Sequence, residues 1–237
     1  MYYQVAFPYA TGVILFIAAA YVYYVYTKTS NKALLILALG FIFVGLESVL
    51  DGVTQSKLLA LAGGSWDKIP PDKLNYMLTL DAVRGVFIIL WAMMEELFAA
   101  YLVGTQKKLY TLYIPILILV VGVSETFALN FSHIQPLDKR ILISSAGRVL
   151  GILVPVALIV GFYILLKLWR PLRTLSTLFY GLGFVIHGFT LPAYSPAKEL
   201  GALTLGLWYL FGGVFPALLA MLGSYYLLKE FEAAAAT

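Results

Sequence analysis

Long apolar runs broken by short polar connections set the character of this chain. Seven such runs cover residues 7–26, 33–53, 77–104, 109–131, 141–168, 175–194 and 200–228. A helix rises about 1.5 Å per residue, so ~20 apolar residues cross the ~30 Å hydrocarbon layer of a bilayer. The pattern predicts an all-α polytopic membrane protein: a seven-transmembrane-helix bundle in which residues 1–237 form one domain. The third, fifth and seventh runs are long enough to tilt or to project past the headgroups. The longest connection, residues 54–75, has room for a short interfacial helix over 56–62, stopped by Gly63-Gly64. Trp66 would then sit at headgroup depth, with Pro70-Pro71 just ahead of the third span.

The polar connections predict an orientation. Lys28, Lys32, Lys107, Lys108, Lys167, Arg170, Arg173 and Lys229 fall on one side, in compact basic connections. Lys57, Lys68, Lys73, Lys139, Arg140 and Lys198 fall on the other, three of them in the long loop beside Asp67 and Asp72. Cytoplasmic loops carry the excess of Lys and Arg, so the N-terminus is expected outside and the C-terminus in the cytoplasm. No basic segment precedes the first run, and its first cation, Lys28, follows it; the run is expected to be a retained span and not a cleaved leader.

Composition agrees with lipid as the solvent. Apolar residues make up 62% and charged residues 12%, whereas soluble domains sit near ~25% charged. Net charge is +4, but the cations are scattered over segment ends, which speaks against a nucleic-acid surface. The absence of cysteine removes disulfides, thiol nucleophiles and thiolate-bound metals. Only two histidines, His133 and His187, leave no multi-histidine metal or bis-imidazole haem site, and no metal is expected. Scarce Asn and Gln together with no Cys suggest a thermophilic source, and the layout suits the plasma membrane of a prokaryote.

The acids change the picture. Glu47, Asp51, Asp81, Glu95, Glu96 and Glu125 all fall within expected spans, joined by Arg84, Arg148 and His187. An ionisable group at the bilayer centre costs about 2.5–3.5 kcal/mol on insertion scales, so these groups are expected to face one another or water. Glu47 and Asp51 are four apart on one helix face. Asp81, Arg84, Trp91 and Glu95 form a single stripe at 3.6 residues per turn, with Glu96 to its side. Ser144 and Ser145 lie on the same face as Arg148. By depth, Glu47, Asp51, Asp81, Arg84, Glu125, Arg148 and His187 group in the outer half, and Glu95 and Glu96 in the inner half. Two readings compete: pairs such as Arg84 with Glu47 or Asp81, and Arg148 with Glu125, can simply fix helix register, or the groups can line a route or pocket. The candidate transport or pocket residues are thus Glu47, Asp51, Asp81, Arg84, Glu95, Glu125, Arg148 and His187, with no catalytic set.

Pro115, Pro155 and Pro216 lie inside spans and should free backbone carbonyls. Gly147 and Gly151, with Gly181, Gly183, Gly188, Gly212 and Gly213, permit close helix packing. The sequon at Asn130-Phe131-Ser132 lies close to the membrane. Glu95-Glu96 lacks the companion histidines that an intramembrane metalloprotease would need.

In layout — seven spans, N-terminus outside, short loops — the chain resembles microbial rhodopsins, in architecture alone. That family binds retinal through a lysine in the middle of the last helix. Here the corresponding stretch is Leu207-Trp208-Tyr209-Leu210-Phe211-Gly212-Gly213-Val214-Phe215-Pro216, with lysines only at Lys198 and Lys229. Covalent retinal is not expected, nor any other cofactor. The leading expectation is movement of a proton, ion or small polar solute through a polar pocket in the outer half. The alternatives are a non-catalytic subunit of a respiratory, secretory or DNA-transport complex, a receptor or sensor, and an intramembrane enzyme acting on lipids or isoprenoids. The expected partners are the lipid bilayer and a homo-oligomer or other membrane subunits.

Overall fold

A chain that buries its backbone in hydrocarbon must satisfy every N–H and C=O within itself, and helices do so locally. The computed structural model describes residues 3–131, 145–193, 197 and 200–236, with backbone alone at 67, 125, 127–131 and 145–153. Among these residues the chain is helical and contains no strand. The elements are α1 (Tyr3–Thr29), α2 (Lys32–Ala62), α3 (Pro71–Leu102), α4 (Ile114–Phe131), α5 (Ser145–Ile164), α6 (Leu175–Thr190), α7 (Ala202–Tyr209) and α8 (Phe215–Ala235). A π-helical turn, Leu109–Tyr113, leads into α4; a second, Leu165–Trp169, extends α5; a third, Leu210–Val214, joins α7 to α8.

Six helices are long and apolar enough to cross a membrane: α1, α2, α3, Val154–Leu172, Leu175–Ala193 and Ala202–Ala235. The apolar helix Leu109–Ser124 is shorter. The expected start of the fifth span at Ile141 and the end of the sixth at Tyr194 lie outside the described residues.

Ends are set by local chemistry. Asn31 caps α2, its side chain accepting from the Ala33 N–H at 3.0 Å. At the other end Gly63 takes φ +60°, and the Gly63 and Gly64 N–H groups donate to the Leu59 and Leu58 carbonyls at 3.1 Å. The Gly63-to-Leu59 bond makes an αL stop, and a side chain at Gly63 would strain it. The residues expected as a separate interfacial helix over 56–62 are instead the last two turns of α2. With no helix breaker between Val53 and Ala62, the cheapest course for the backbone is to continue its ladder.

From α1 to α6 each helix packs on the next, α6 packs on α8, and α8 closes against α1. α3 touches α5 directly, so α4 lies outside that pair, resting on both. Much of its surface faces away from the bundle: Leu117 is 61% exposed and Val120 56%. Elsewhere Ile159 and Leu203 are likewise turned outward. An apolar exterior of this extent suits acyl chains and not water. Helix contact in lipid depends on close fit, and the α5–α6 crossing shows it. A Cβ on Gly161 would lie 2.8 Å from the Val185 nitrogen and 3.0 Å from the Gly181 carbonyl oxygen. At one end of the bundle, Lys28 lies over the Tyr24 ring, Arg173 over Trp169 and Lys229 over Tyr225, at 4.9–5.9 Å. These pairs mark a basic, aromatic rim. α3 begins at the opposite end and finishes at the basic one.

Candidate functional site

The polar interior is built on α3, whose face carries Asp81, Arg84, Trp91 and Glu95, all four buried. Just before the middle of the helix, Arg84 gathers three carboxylates. Its Nη2 lies 2.8 Å and its Nε 3.2 Å from Glu47 Oε1; its Nη1 lies 3.0 Å from Asp51 Oδ1 and 3.6 Å from Asp81 Oδ1. The planar guanidinium makes this sharing feasible, because its five N–H groups point along several in-plane directions at once. Glu47 and Asp51, one turn apart on α2, present both acids to it. Asp51 has two further partners: Gln55 Nε2 donates to Oδ1 at 3.2 Å, and the Tyr209 hydroxyl donates to Oδ2 at 2.5 Å. The cluster thus ties α2, α3 and α7 together.

Deeper, Trp91 is stacked between Phe41 and Phe184, with ring centroids at 5.5 and 6.4 Å. Its indole N–H donates to His187 Nε2 at 3.2 Å. The other nitrogen, Nδ1, is 2.5 Å from the Gly212 carbonyl oxygen. A carbonyl only accepts and an indole N–H only donates, so the neutral imidazole must carry its proton on Nδ1 and leave Nε2 as an acceptor. Backbone geometry explains why Gly212 is available. Pro216, four residues on, has no N–H to offer it, and in the π-helical turn the Phe215 N–H goes to Leu210. Thr190 Oγ1 in turn donates to the His187 carbonyl at 2.9 Å, and Trp208 Nε1 donates to the Thr190 carbonyl at 2.7 Å.

One turn beyond Trp91 on α3 is Glu95, with no exposed surface. Its Oε1 lies 3.7 Å from His187 Nε2, beyond hydrogen-bond reach, and neither oxygen has a hydrogen-bond partner among the described residues. A charge so placed is costly, so this carboxyl is suited to bind a proton or a cation.

Two cavities line up along this file. One, of about 70 Å³, lies between the Arg84 cluster and the Trp91–His187 pair; Glu47, Asp51, Arg84 and Tyr209 form its polar end. The second, of about 40 Å³, lies beyond that pair and is walled by Phe41, Tyr180, Phe184 and Pro216. The first has room for several waters beside groups that would hold them; the second is apolar. Past Glu95, Phe98 and Tyr180 are fully buried and meet edge to face at 5.1 Å, with Phe184 at 5.6 Å from Phe98. Ser224 donates to the Ala220 carbonyl, so the Tyr180 hydroxyl donates to Ser224 Oγ at 2.9 Å. Ser176 donates to Glu230 at 2.9 Å near the basic end.

Of the residues singled out from the sequence, Glu47, Asp51, Asp81 and Arg84 come together, and Glu95 and His187 form a separate group about 16 Å along α3 from Arg84. The side chains of Glu125 and Arg148 lie outside the described residues, as do His133 and Ser144. Sequence reasoning missed Tyr209, Gln55 and the Gly212 carbonyl. Only the last had a signal, the proline four residues downstream. The described residues hold no cluster of His, Cys, Asp and Glu suited to a metal. No protein-family model matches this chain, and no curated protein or solved structure matches it.

Proposed function

We propose that this membrane protein conducts protons, driven by the membrane potential or a pH gradient, through a seven-span bundle with its N-terminus outside. In that arrangement α4 with its leading π-helical turn completes the count of seven, and the basic rim faces the cytoplasm. The observation that carries the reading is the pairing of Glu95, buried and without a hydrogen bond among the described residues, with His187, at the end of a cavity that begins at the Arg84 cluster.

Each residue has a part. Glu47, Asp51 and Asp81 give the outer end a concentration of exchangeable carboxyl oxygens, and Arg84 holds them in place. Waters in the cavity of about 70 Å³ carry the proton to His187. Arrival at Nε2 turns that nitrogen from acceptor to donor, so the Trp91 N–H loses its partner and Glu95 gains one. A shift of under 1 Å from the present 3.7 Å closes the imidazolium–carboxylate bond. Passage to Glu95 restores the neutral ring and the Trp91 bond. A proton fits better than a larger solute, because Trp91, stacked between Phe41 and Phe184, closes the file.

The test is proton flux into proteoliposomes containing a pH-sensitive dye, under an imposed potassium diffusion potential. Glu95→Gln should abolish flux, and Glu47→Gln should reduce it at least tenfold. Wild-type rates in both variants would sink the assignment.

A further inference from the structure

The polar file does not continue past Glu95: Phe98, Tyr180 and Phe184 pack together there, and the cavity of about 40 Å³ that Tyr180 and Phe184 border is apolar. The polar group that follows in that direction, among the described residues, is the Tyr180 hydroxyl, held by Ser224, and its ring is part of the aromatic layer. A wider space opens to the side. Between α3, α4 and α5, at the half of the bundle where α3 ends, there is a groove of about 250 Å³. It runs from Glu96 past Ala99 and Ala100 to Thr105 and Tyr110 at the basic rim; its remaining wall is largely apolar and includes the outward-turned Ile159, so Glu96, Thr105 and Tyr110 are groups that could hold water in it. Ala99 and Ala100 line it with small side chains. Glu96 Oε2 is shut off from solvent and has no hydrogen-bond partner among the described residues. Among those residues it is the one carboxyl lining the groove, and it is the chain neighbour of Glu95.

We propose that Glu96 is a further proton-carrying carboxyl of this protein, passing protons between Glu95 and a water-filled port formed by the α3–α4–α5 groove at the basic end. The inference rests on the conduction reading and supplies its missing half. Adjacent helical positions point about 100° apart, so Glu95 and Glu96 carry the path from the bundle axis to its flank within one step of the chain. The exit is then lateral, which leaves the aromatic layer intact as the barrier to ions and solutes. α4 rests on the outside of α3 and α5, where it walls the port without blocking the centre.

The 237 residues contain no cysteine, which permits an experiment that does not depend on flux. Single substitutions Ala100→Cys and Thr105→Cys, with Phe98→Cys as the buried control, are reconstituted in lipid. They are then treated from the basic side with a charged, membrane-impermeant methanethiosulfonate. A water-filled port is expected to give labelling at 105 and 100 and none at 98. In parallel, Glu96→Gln should lower proton flux at least tenfold, and Glu96→Asp should restore part of it. Labelling at 105 with none at 100 would mean a lipid-filled groove and would overturn the port, as would wild-type flux in Glu96→Gln. Failure of the conduction reading has its own signature: no flux in the wild-type protein, whatever the cysteines show.

Discussion

Replacing Arg84 by methionine keeps most of the side chain's length and removes the one group that three acids share. In the native protein the guanidinium meets Glu47 at 2.8 Å, Asp51 at 3.0 Å and Asp81 at 3.6 Å, with exposures of 14% or less on every partner. Taking one member out of a buried ion pair destabilises by about 3–5 kcal/mol, because the remaining charge stays desolvated. Glu47 and Asp51 both make close contacts, so the loss should reach the upper part of that range. Lysine keeps the charge but has three donors on one compact ammonium in place of the wider planar fork, so Arg84→Lys should fall between methionine and the native protein. Reversible unfolding in mixed micelles, followed by helical circular dichroism against the mole fraction of dodecyl sulfate, gives the free energies. A cycle combining Arg84→Met with Asp51→Asn should show coupling above about 1 kcal/mol, as expected for residues in one network. If Arg84→Met unfolds within about 0.5 kcal/mol of the native protein, as surface changes do, the cluster does not hold the helices and buried charge is not what joins them.

Other expectations follow from single contacts. Tyr209→Phe deletes the hydroxyl that donates to Asp51 at 2.5 Å and should cost about 1.5–3 kcal/mol in the same titration. Gly161→Ala puts a Cβ 2.8 Å from the Val185 backbone nitrogen, which cannot move aside as a side chain would; a loss of about 1–3 kcal/mol is expected. Gly40→Ala places a Cβ 2.5 Å from the Trp91 ring and should displace the indole from His187. That variant should show a shift in tryptophan emission and slower proton flux, whereas an unchanged spectrum and rate would argue against Trp91 as the gate. Pro216→Ala offers the Gly212 carbonyl a backbone N–H in competition with His187. It should weaken the hold on Nδ1 and slow the flux, measured in the proteoliposome assay.

Much of this molecule is written locally in its sequence. Runs of 20 or more apolar residues can satisfy their backbone in lipid only as helices, so the helical membrane character follows from the hydropathy pattern without any knowledge of partners. The stops at Asn31 and Gly63 are local as well, since each depends on a few neighbouring backbone groups. So is the alignment of Asp81, Arg84, Trp91 and Glu95, which needs only the 3.6-residue repeat. Periodicity names a face, however, and not what lies opposite. That Asp51 is met by Tyr209, 158 positions away, depends on α8 closing against α1 and drawing α7 toward α2. That His187 finds the Gly212 carbonyl depends on the α6–α8 packing as well as on Pro216. The differing surroundings of Glu95 and Glu96 are tertiary too. Glu95 is enclosed by the bundle, whereas Glu96 lines a groove that exists only because α4 rests outside α3 and α5. Helix formation is a short-range hydrogen-bonding problem and can be read along the chain. The pairing of charges across helices is decided by which faces pack closely enough to exclude lipid, and that is a property of the assembled bundle.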